Sequence, residues 1–205
     1  AIRNASLFAR SESARQAAEA LWQIERLLSE TLDPEVVAQR ITDSMRVLFS
    51  AQSSVVYRLD ADAGHLVGLS GSGEMGPAFR PGIVMPRGNG AVGLAVETGE
   101  PVATPNVLAD ERITLPAEVR ARIEAAPYRA VLAVPLAIPD GVIGALSVAD
   151  VEGRRFDPED IHLAQAFAAQ AALALENARL HGEAPPAAAR PTPEDAPARA
   201  SRPFP

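Results

Sequence analysis

Apolar residues at helical spacing predict long helices at both ends of the chain and a medium one near the first. From about residue 7 to residue 32 they repeat every seven residues, the period of a coiled coil. Asp33-Pro34 and Asp157-Pro158 each place a capping residue before a proline, so helices are predicted to begin there and to end near Phe49 and His181. The heptad positions are Leu7, Ala14, Leu21 and Leu28, with Ala17 and Ile24 in a second seam.

Alternating or continuous apolar runs predict two β-hairpins, with strands at 54–59 and 65–70 and at 130–136 and 142–149. Residues 71–90 hold six glycines and three prolines, which predicts a loop with one short strand at 83–85. Short helices are predicted at 90–98 and 116–126, joined by a loop over 101–110. The predicted domains are an N-terminal coiled-coil helix (1–32), a globular domain with its C-terminal helix (33–182) and a disordered Pro/Ala-rich tail or linker (183–205).

Composition narrows the possible functions. The 205 residues include no cysteine, which excludes disulfides, thiolate metal sites and a cysteine nucleophile. The formal net charge of −7 repels phosphate backbones, so nucleic acid is not an expected partner. No apolar run approaches the roughly 20 residues that span a bilayer, so a cytoplasmic location is expected. No catalytic or metal-ligand spacing is present, and the pattern from Gly71 to Gly76 that matches a dinucleotide fingerprint runs directly into Pro77 rather than into a helix.

Four stretches, in this order, resemble the GAF domain family: 100–110, 131–136, 141–148 and a closing helix that begins at Asp157 and ends in Glu176-Asn-Ala-Arg179. The resemblance implies an α/β (α+β) fold in which an antiparallel sheet carries helices on one face and a ligand pocket on the other. It also implies a bacterial signalling protein that homodimerises through long terminal helices and is joined to an output domain such as a kinase, cyclase or transcription activator.

The resemblance also bears on cofactors, and none is predicted. Relatives that attach a tetrapyrrole, and relatives that reduce methionine sulfoxide, depend on cysteines. Cyclic-nucleotide-binding relatives carry an Asn-Lys-Phe-Asp-Glu pattern that is not found in this chain. A haem would need an axial ligand. The only histidines are His65, His162 and His181, and each is interpreted as an exposed or packing residue.

Strand alternation assigns the pocket face. The larger even-numbered residues of the last two strands suit a helical core, whereas the smaller odd-numbered ones leave room for a pocket. Tyr57 is assigned to the pocket side of the first strand. The predicted ligand-binding residues are Tyr57, Phe79, Val84, Leu94, Thr104, Asn106, Tyr128, Val131, Ala133 and Ser147.

Several of these assignments have alternatives. The apolar lid residues could simply fill the space, and Asn106 could order its own loop. Arg112 could pair with Asp110 or bind a ligand carboxylate. Two functions therefore stay open: a sensor that binds a small, largely uncharged molecule, or a ligand-free dimerisation and spacer module. In either case Leu21, Ile24 and Leu28 are predicted to contribute to a dimer interface.

Overall fold

A computed structural model describes residues 31–74, 79 and 81–183. The predicted N-terminal helix, its seam residues Leu21, Ile24 and Leu28, and nearly all of the predicted tail lie outside the described residues. Among the residues that are described, no helix is both long and apolar enough to cross a membrane.

Within the described residues, four helices and six strands follow one another in the order that the sequence predicts, with one strand added. In chain order they are α1 (Pro34–Leu48), β1 (Ser53–Asp60), β2 (His65–Gly73), β3 (Val84–Pro86), α2 (Gly90–Thr98), β4 (Val102–Thr104), α3 (Ala117–Ala125), β5 (Tyr128–Ile138), β6 (Gly141–Val151) and α4 (Pro158–Glu183).

The predicted capping residues occupy the starts of both long helices. The Asp33 carboxylate accepts hydrogen bonds from the amides of Glu35 (3.0 Å) and Val36 (3.4 Å), which satisfies two donors that have no partner within the helix. At α4, Asp157 and Asp160 each accept a hydrogen bond from the other's backbone N–H, at 2.8 and 3.1 Å.

The strands form one six-stranded sheet in the order β3-β2-β1-β6-β5-β4, and each neighbouring pair is antiparallel. This confirms the predicted fold class. Strand β4 lies where the sequence predicts only loop, and β2 continues three residues beyond its predicted end, through Gly71 to Gly73. A three-residue edge strand is too short to show alternation, and glycines conceal the end of β2 from a propensity argument.

One face of the sheet, the helical face, is covered by α1 and α4. The even-numbered residues of β5 and β6 point to this face, as the alternation predicts. Apolar side chains of the sheet, α1 and α4 form one large buried cluster on this face. Its members include Val37, Ile41, Met45, Val56, Leu132, Val134, Leu136, Leu146, Val148 and Phe167. Most of the largest fully buried side chains among the described residues belong to this cluster.

A polar seam attaches α1 to β2 on the same face. The Ser70 hydroxyl donates to the Gln39 side chain at 2.8 Å, and Ser72 donates to Asp43 at 2.5 Å while it accepts from Arg46 at 3.0 Å. A β-bulge makes this possible, because the register of β1 and β2 skips Leu69 and so turns the residues after it towards α1.

Arg154 joins three elements at one end of the helical face. Its guanidinium pairs with the Asp150 carboxylate near the end of β6 and donates to the backbone carbonyl of Phe49, just after α1, at 2.6 Å. The same group lies 4.9 Å from the ring centre of Phe156, which precedes α4. The end of β6 is thereby tied to both long helices.

Candidate functional site

A cavity of about 120 Å³ lies on the opposite face of the sheet, the cavity face, which α2 and α3 cover. Strands β1, β5 and β6 form its floor. Residues from α2, α3 and the connecting loops form its roof. The lining is mainly apolar and consists of Ser53, Val55, Tyr57, Phe79, Met85, Gly90, Ala91, Val92, Val107, Leu115, Val119, Ile123, Ala126, Tyr128, Val131, Ser147 and Ala149.

Three hydroxyl groups on the floor have no partner. Ser53, Tyr57 and Ser147 retain only 5%, 7% and 8% of their surface exposure, yet none of their hydroxyls has a hydrogen-bond partner among the described residues. Among the described residues only the Ser54 hydroxyl is a fully buried side-chain atom without a partner, so the three floor hydroxyls keep some access to the cavity space. Since these side chains line the cavity, a molecule held in it can supply the missing partners.

Tyr57 and Phe79 form one end wall of the cavity. Their rings meet edge to face, with centroids 6.0 Å apart and planes at 86°. Phe79 is seated against Gly68 of β2, where a Cβ atom would come within 2.5 Å of the Phe79 ring carbon Cε2. A glycine is therefore required at position 68 for the ring to stand where it does.

Arg122 lies on α3 between Val119 and Ala126 in the sequence, but unlike them it is not one of the residues that line the cavity. Burial raises the pKa of the Tyr57 hydroxyl far above its ordinary value, and the neighbouring Arg122 guanidinium partly offsets that increase. The hydroxyl therefore remains a hydrogen-bond donor throughout the physiological pH range.

The other end of the cavity is acidic. The Tyr128 hydroxyl donates to the Glu74 carboxylate at 3.3 Å. Burial, and then the negative charge of Glu74, raise the pKa of Tyr128, to which Asp150 also contributes. A carboxylate therefore lies next to the Tyr128 end of the cavity, whereas no basic side chain lines it.

The structure brings five of the ten predicted pocket residues to the cavity: Tyr57, Phe79, Tyr128, Val131 and Ser147. Ala133 is fully buried on the same sheet face but does not line the cavity. Val84 is 47% exposed on β3, and Leu94 is half-buried on α2.

Thr104, the last residue of β4, and Asn106, in the loop that follows, are not among the residues that line the cavity. Asn106 accepts from the amide of Leu108 at 2.9 Å and donates to Glu152 at 2.6 Å, so it orders its own loop. Thr104 accepts from the amide of Asn106 at 3.3 Å. These are the local roles that short polar side chains commonly have in loops.

Arg112 is engaged by Asp110 rather than left free for a ligand. Its Nε and Nη2 atoms donate to the two carboxylate oxygens at 2.9 and 2.6 Å, and Nη2 also donates to the carbonyl of Ala103 at 2.9 Å. The hydrogen bonds from Arg112 lower the pKa of Asp110 to about 2. Of the two alternatives for Arg112, the structure thus contains the ion pair with Asp110.

Sequence reasoning missed two groups of lining residues for different reasons. Ser53 and Val55 have the same strand parity as Tyr57, so the alternation could have found them. On α3, Val119, Ile123 and Ala126 follow helical spacing, which also could have placed a face of that helix towards the sheet. Leu115 and Val107 come from loops, and no periodicity signals their position.

A second, larger groove of about 930 Å³ lies beside the β1–β2 hairpin, between the start of α1 and the end of α4. Four of its polar side chains are paired, Gln39 with Ser70 and Glu176 with Arg179 at 2.5 Å, and Tyr57 and Phe79 line this groove as well as the smaller cavity. The smaller cavity is the better candidate for a ligand site because it lies between the sheet and the helices α2 and α3 and is lined by two further hydroxyls, those of Ser53 and Ser147, that make no hydrogen bond to the described residues.

The family of this chain follows from a comparison of its sequence. The family model described as GAF domain matches residues 31–176, which is most of the chain. The chain belongs to the GAF domain family. This family is a sensory and regulatory fold of signalling proteins, and the match encloses the whole cavity and both faces of the sheet.

Solved GAF domains share the fold at low sequence identity. The GAF domain of a phosphoenolpyruvate-protein phosphotransferase from Coxiella burnetii is 19% identical, with a TM-score of 0.71 over 82% of this chain and 98% of that one. The corresponding domain from Acinetobacter is 17% identical, with a TM-score of 0.69 over 82% and 97%. A free methionine-R-sulfoxide reductase from Neisseria meningitidis, solved with its substrate, is 20% identical, with a TM-score of 0.68 over 83% and 93%.

Proposed function

We propose that this GAF domain is a non-catalytic sensor that binds a small molecule in the cavity between the sheet and α2 and α3. The observation that carries the proposal is that three residues of low exposure, Ser53, Tyr57 and Ser147, line the cavity with hydroxyls that make no hydrogen bond to the described residues. These hydroxyls can donate to or accept from a molecule held in the cavity.

The strands offer a direct route from the cavity to the terminal helices. Ser147 lines the cavity, and its neighbours Leu146 and Val148 pack against α1 and α4 on the other face. The Arg154 contacts join the end of β6 to both helices. A ligand that prefers one position of β6 therefore also biases the arrangement of α1 and α4.

The signal is proposed to leave the domain through a helical homodimer joined to an output domain. Leu173 and Leu180 are 49% and 53% exposed and lie seven residues apart on α4, the spacing of a coiled-coil seam. Together with Leu21, Ile24 and Leu28 they would form an apolar interface between two copies, in a cytoplasmic bacterial signalling protein.

Sedimentation equilibrium of the full chain tests this dimer. Replacing Leu173 and Leu180 together by aspartate should weaken self-association at least about tenfold, because charge is excluded from such a seam. The control replaces Arg155, just before α4, and His162, near the start of α4, by aspartate, because both residues are exposed. A wild-type chain that remains monomeric at high concentration would refute the dimer.

The second candidate is a ligand-free dimerisation and spacer module. The cavity volume of about 120 Å³ favours it, because it lies below the roughly 300–1,000 Å³ of ordinary ligand pockets. In this alternative the cavity is a packing defect beneath α3, and the terminal helices hold neighbouring domains together without responding to a ligand.

Native mass spectrometry of the full chain, purified from its own host, separates the two functions. The sensor should carry a reproducible extra mass that is released on denaturation. Ala126→Leu, which extends a buried lining residue into the cavity, should abolish the extra mass, whereas Ala125→Leu, at the exposed neighbouring position, should retain it. An empty chain whose melting temperature no metabolite in a broad panel shifts would favour the spacer.

A further inference from the structure

We infer that the cavity ligand is a small alkylammonium ion whose charged head lies at the Tyr128 end and whose hydrocarbon chain enters the cavity. The inference rests on the proposed sensor function and specifies its ligand class. It departs from the largely uncharged molecule that the sequence favours, because the sequence does not reveal that Glu74 and Tyr128, 54 residues apart, meet beside the cavity.

The first support is the direction of the hydrogen bond between Tyr128 and Glu74. Tyr128 lines the cavity, and its hydroxyl donates to the Glu74 carboxylate with 3.3 Å between the two oxygens. A tyrosine hydroxyl has one proton, and because that proton is given to Glu74, the oxygen can only accept from a ligand. A ligand that contacts this oxygen must therefore bring an N–H or O–H donor.

The second support is the sign of the charge that this contact places beside the cavity. None of the described residues that line the cavity is charged, and the polar side chains among them are all hydroxyls. A donor on the Tyr128 oxygen lies at most about 6 Å from the accepting oxygen of Glu74, because two hydrogen-bond lengths separate them. At that distance the carboxylate attracts a cation and repels an anion.

Ser53 adds a second acceptor at the same end. It pairs with Gly73 in the β1–β2 register, so it lies across from the residue that precedes Glu74. Ser53 lines the cavity, and its hydroxyl makes no hydrogen bond to the described residues. An ammonium group carries three N–H donors, enough for the Ser53 and Tyr128 oxygens together, whereas an alcohol carries one donor.

The cation that follows Tyr128 in the sequence, Arg129, is engaged by the backbone. Its guanidinium donates to the carbonyls of Ile123 and Glu124 at the end of α3, at 2.6 and 2.9 Å, and to the carbonyl of Tyr128 at 3.0 Å. These contacts satisfy carbonyls that have no partner within the helix. Arg129 is not among the residues that line the cavity, so it does not oppose a cation there.

The size and exposure of the cavity limit the form of the ion. A volume of about 120 Å³ is equivalent to roughly four water-sized groups, which limits the chain to about three or four carbons. Val55 and Val131 provide an apolar floor for that chain. Because Glu74 is exposed and Tyr128 is half-buried, the head group keeps part of its hydration and avoids the cost of complete burial of a charge.

Methyl NMR titration of the full chain tests the inference with named probes. Ethylamine, propylamine and butylamine, which are ammonium ions at neutral pH, are compared with ethanol, propanol and butanol, which have nearly the same shapes without the charge. At least one ammonium ion should bind with a Kd at or below about 10 mM, and its alcohol should bind about fivefold or more weakly. Added salt should weaken the binding of the ammonium ion alone, because salt screens only the charge.

Two variants and a control locate the head group. Glu74→Gln, at an exposed position, should weaken ammonium binding about fivefold and leave alcohol binding within about twofold. Tyr128→Phe removes the accepting oxygen and should weaken ammonium binding several-fold. Glu159→Gln removes the same charge from an exposed position near the start of α4 and should change neither affinity by more than about twofold. Equal losses in Glu74→Gln and Glu159→Gln would overturn the inference.

The remaining outcomes distinguish this inference from the proposed function. Alcohols that bind as tightly as the ammonium ions would overturn the charged ligand and leave a ligand-binding cavity in place. Ammonium ions that fail to bind would overturn the inference alone if native mass spectrometry shows another bound molecule, and would overturn both if the chain is also empty.

Discussion

The two faces of the sheet are built from the same strands but differ in what their side chains do. On the helical face, large apolar residues such as Phe167, Ile41 and Met45 are almost completely buried. On the cavity face, the same strands present Ala145, Ser147 and other small residues beneath an open volume.

Polar groups follow the same division. Ser70 and Ser72 on the helical face are hydrogen-bonded to α1, although Ser54 on the same face is buried without a partner. On the cavity face the hydroxyls of Ser53, Tyr57 and Ser147 make no hydrogen bond to the described residues. The comparison supports the proposal that the helical face mainly stabilises the fold and that the cavity face binds a ligand.

The largest expected effect comes from opening the packed face. Phe167→Ala should lower the free energy of unfolding by about 3–5 kcal/mol, because Phe167 is completely buried and its removal leaves a void. Urea denaturation measures the change. Val47→Ala, at a position of α1 that is 68% exposed, should change stability by less than about 0.5 kcal/mol. Similar losses in the two variants would contradict the assignment of the helical face as the stable core.

Two adjacent valines of β1 sharpen the comparison. Val56 is fully buried on the helical face, whereas Val55 borders the cavity. Val56→Ala should cost about 2 kcal/mol and Val55→Ala clearly less, because truncation next to an existing cavity removes fewer contacts. Ligand binding, in contrast, should be weakened more by Val55→Ala than by Val56→Ala. Equal stability losses, measured by the same denaturation, would argue that the cavity face is as closely packed as the other.

The smallest expected effect is a pH dependence of the loop after β4. Arg112 holds the folded-state pKa of Asp110 at about 2, below the ordinary value of 3.8. The pair therefore stabilises the fold above about pH 4, and this contribution disappears as the pH falls towards 2. It should amount to at most about 1 kcal/mol, since Arg112 is largely exposed.

Comparison of variants isolates that contribution. Asp110→Asn should lose stability at pH 6 and show a flatter decline in melting temperature between pH 5 and pH 2 than the wild type. Asp62→Asn, in the exposed β1–β2 turn, should keep the wild-type profile. A wild-type profile in Asp110→Asn would show that the ion pair does not contribute to stability.

The sequence predicted most of the fold because the fold depends on strong local signals. Asp33-Pro34 and Asp157-Pro158 cap their helices where predicted, and the alternation in β5 and β6 separated core from cavity side chains. Strand β4 escaped prediction because an edge strand of three residues carries no period.

The candidate site was harder to predict because it depends on contacts between distant segments. Tyr57, Tyr128 and Ser147 could be assigned from their strands, but Thr104 and Asn106 proved to order a loop. The lining residues Leu115 and Val107 were missed because they lie in loops, where no periodicity indicates which side chains face the sheet.

The most direct test of the central claim asks whether the cavity face has room for a molecule in solution. Methyl NMR spectra of the full chain, with and without pressurised xenon, report this without knowledge of the ligand, because xenon enters apolar cavities of about this size. We predict shifts at the cavity methyls of Val55, Val119 and Val131, none at Val37 or Val148, and loss of the cavity shifts in Ala126→Leu. Absence of xenon shifts on the cavity face would contradict the account and favour a closed spacer domain.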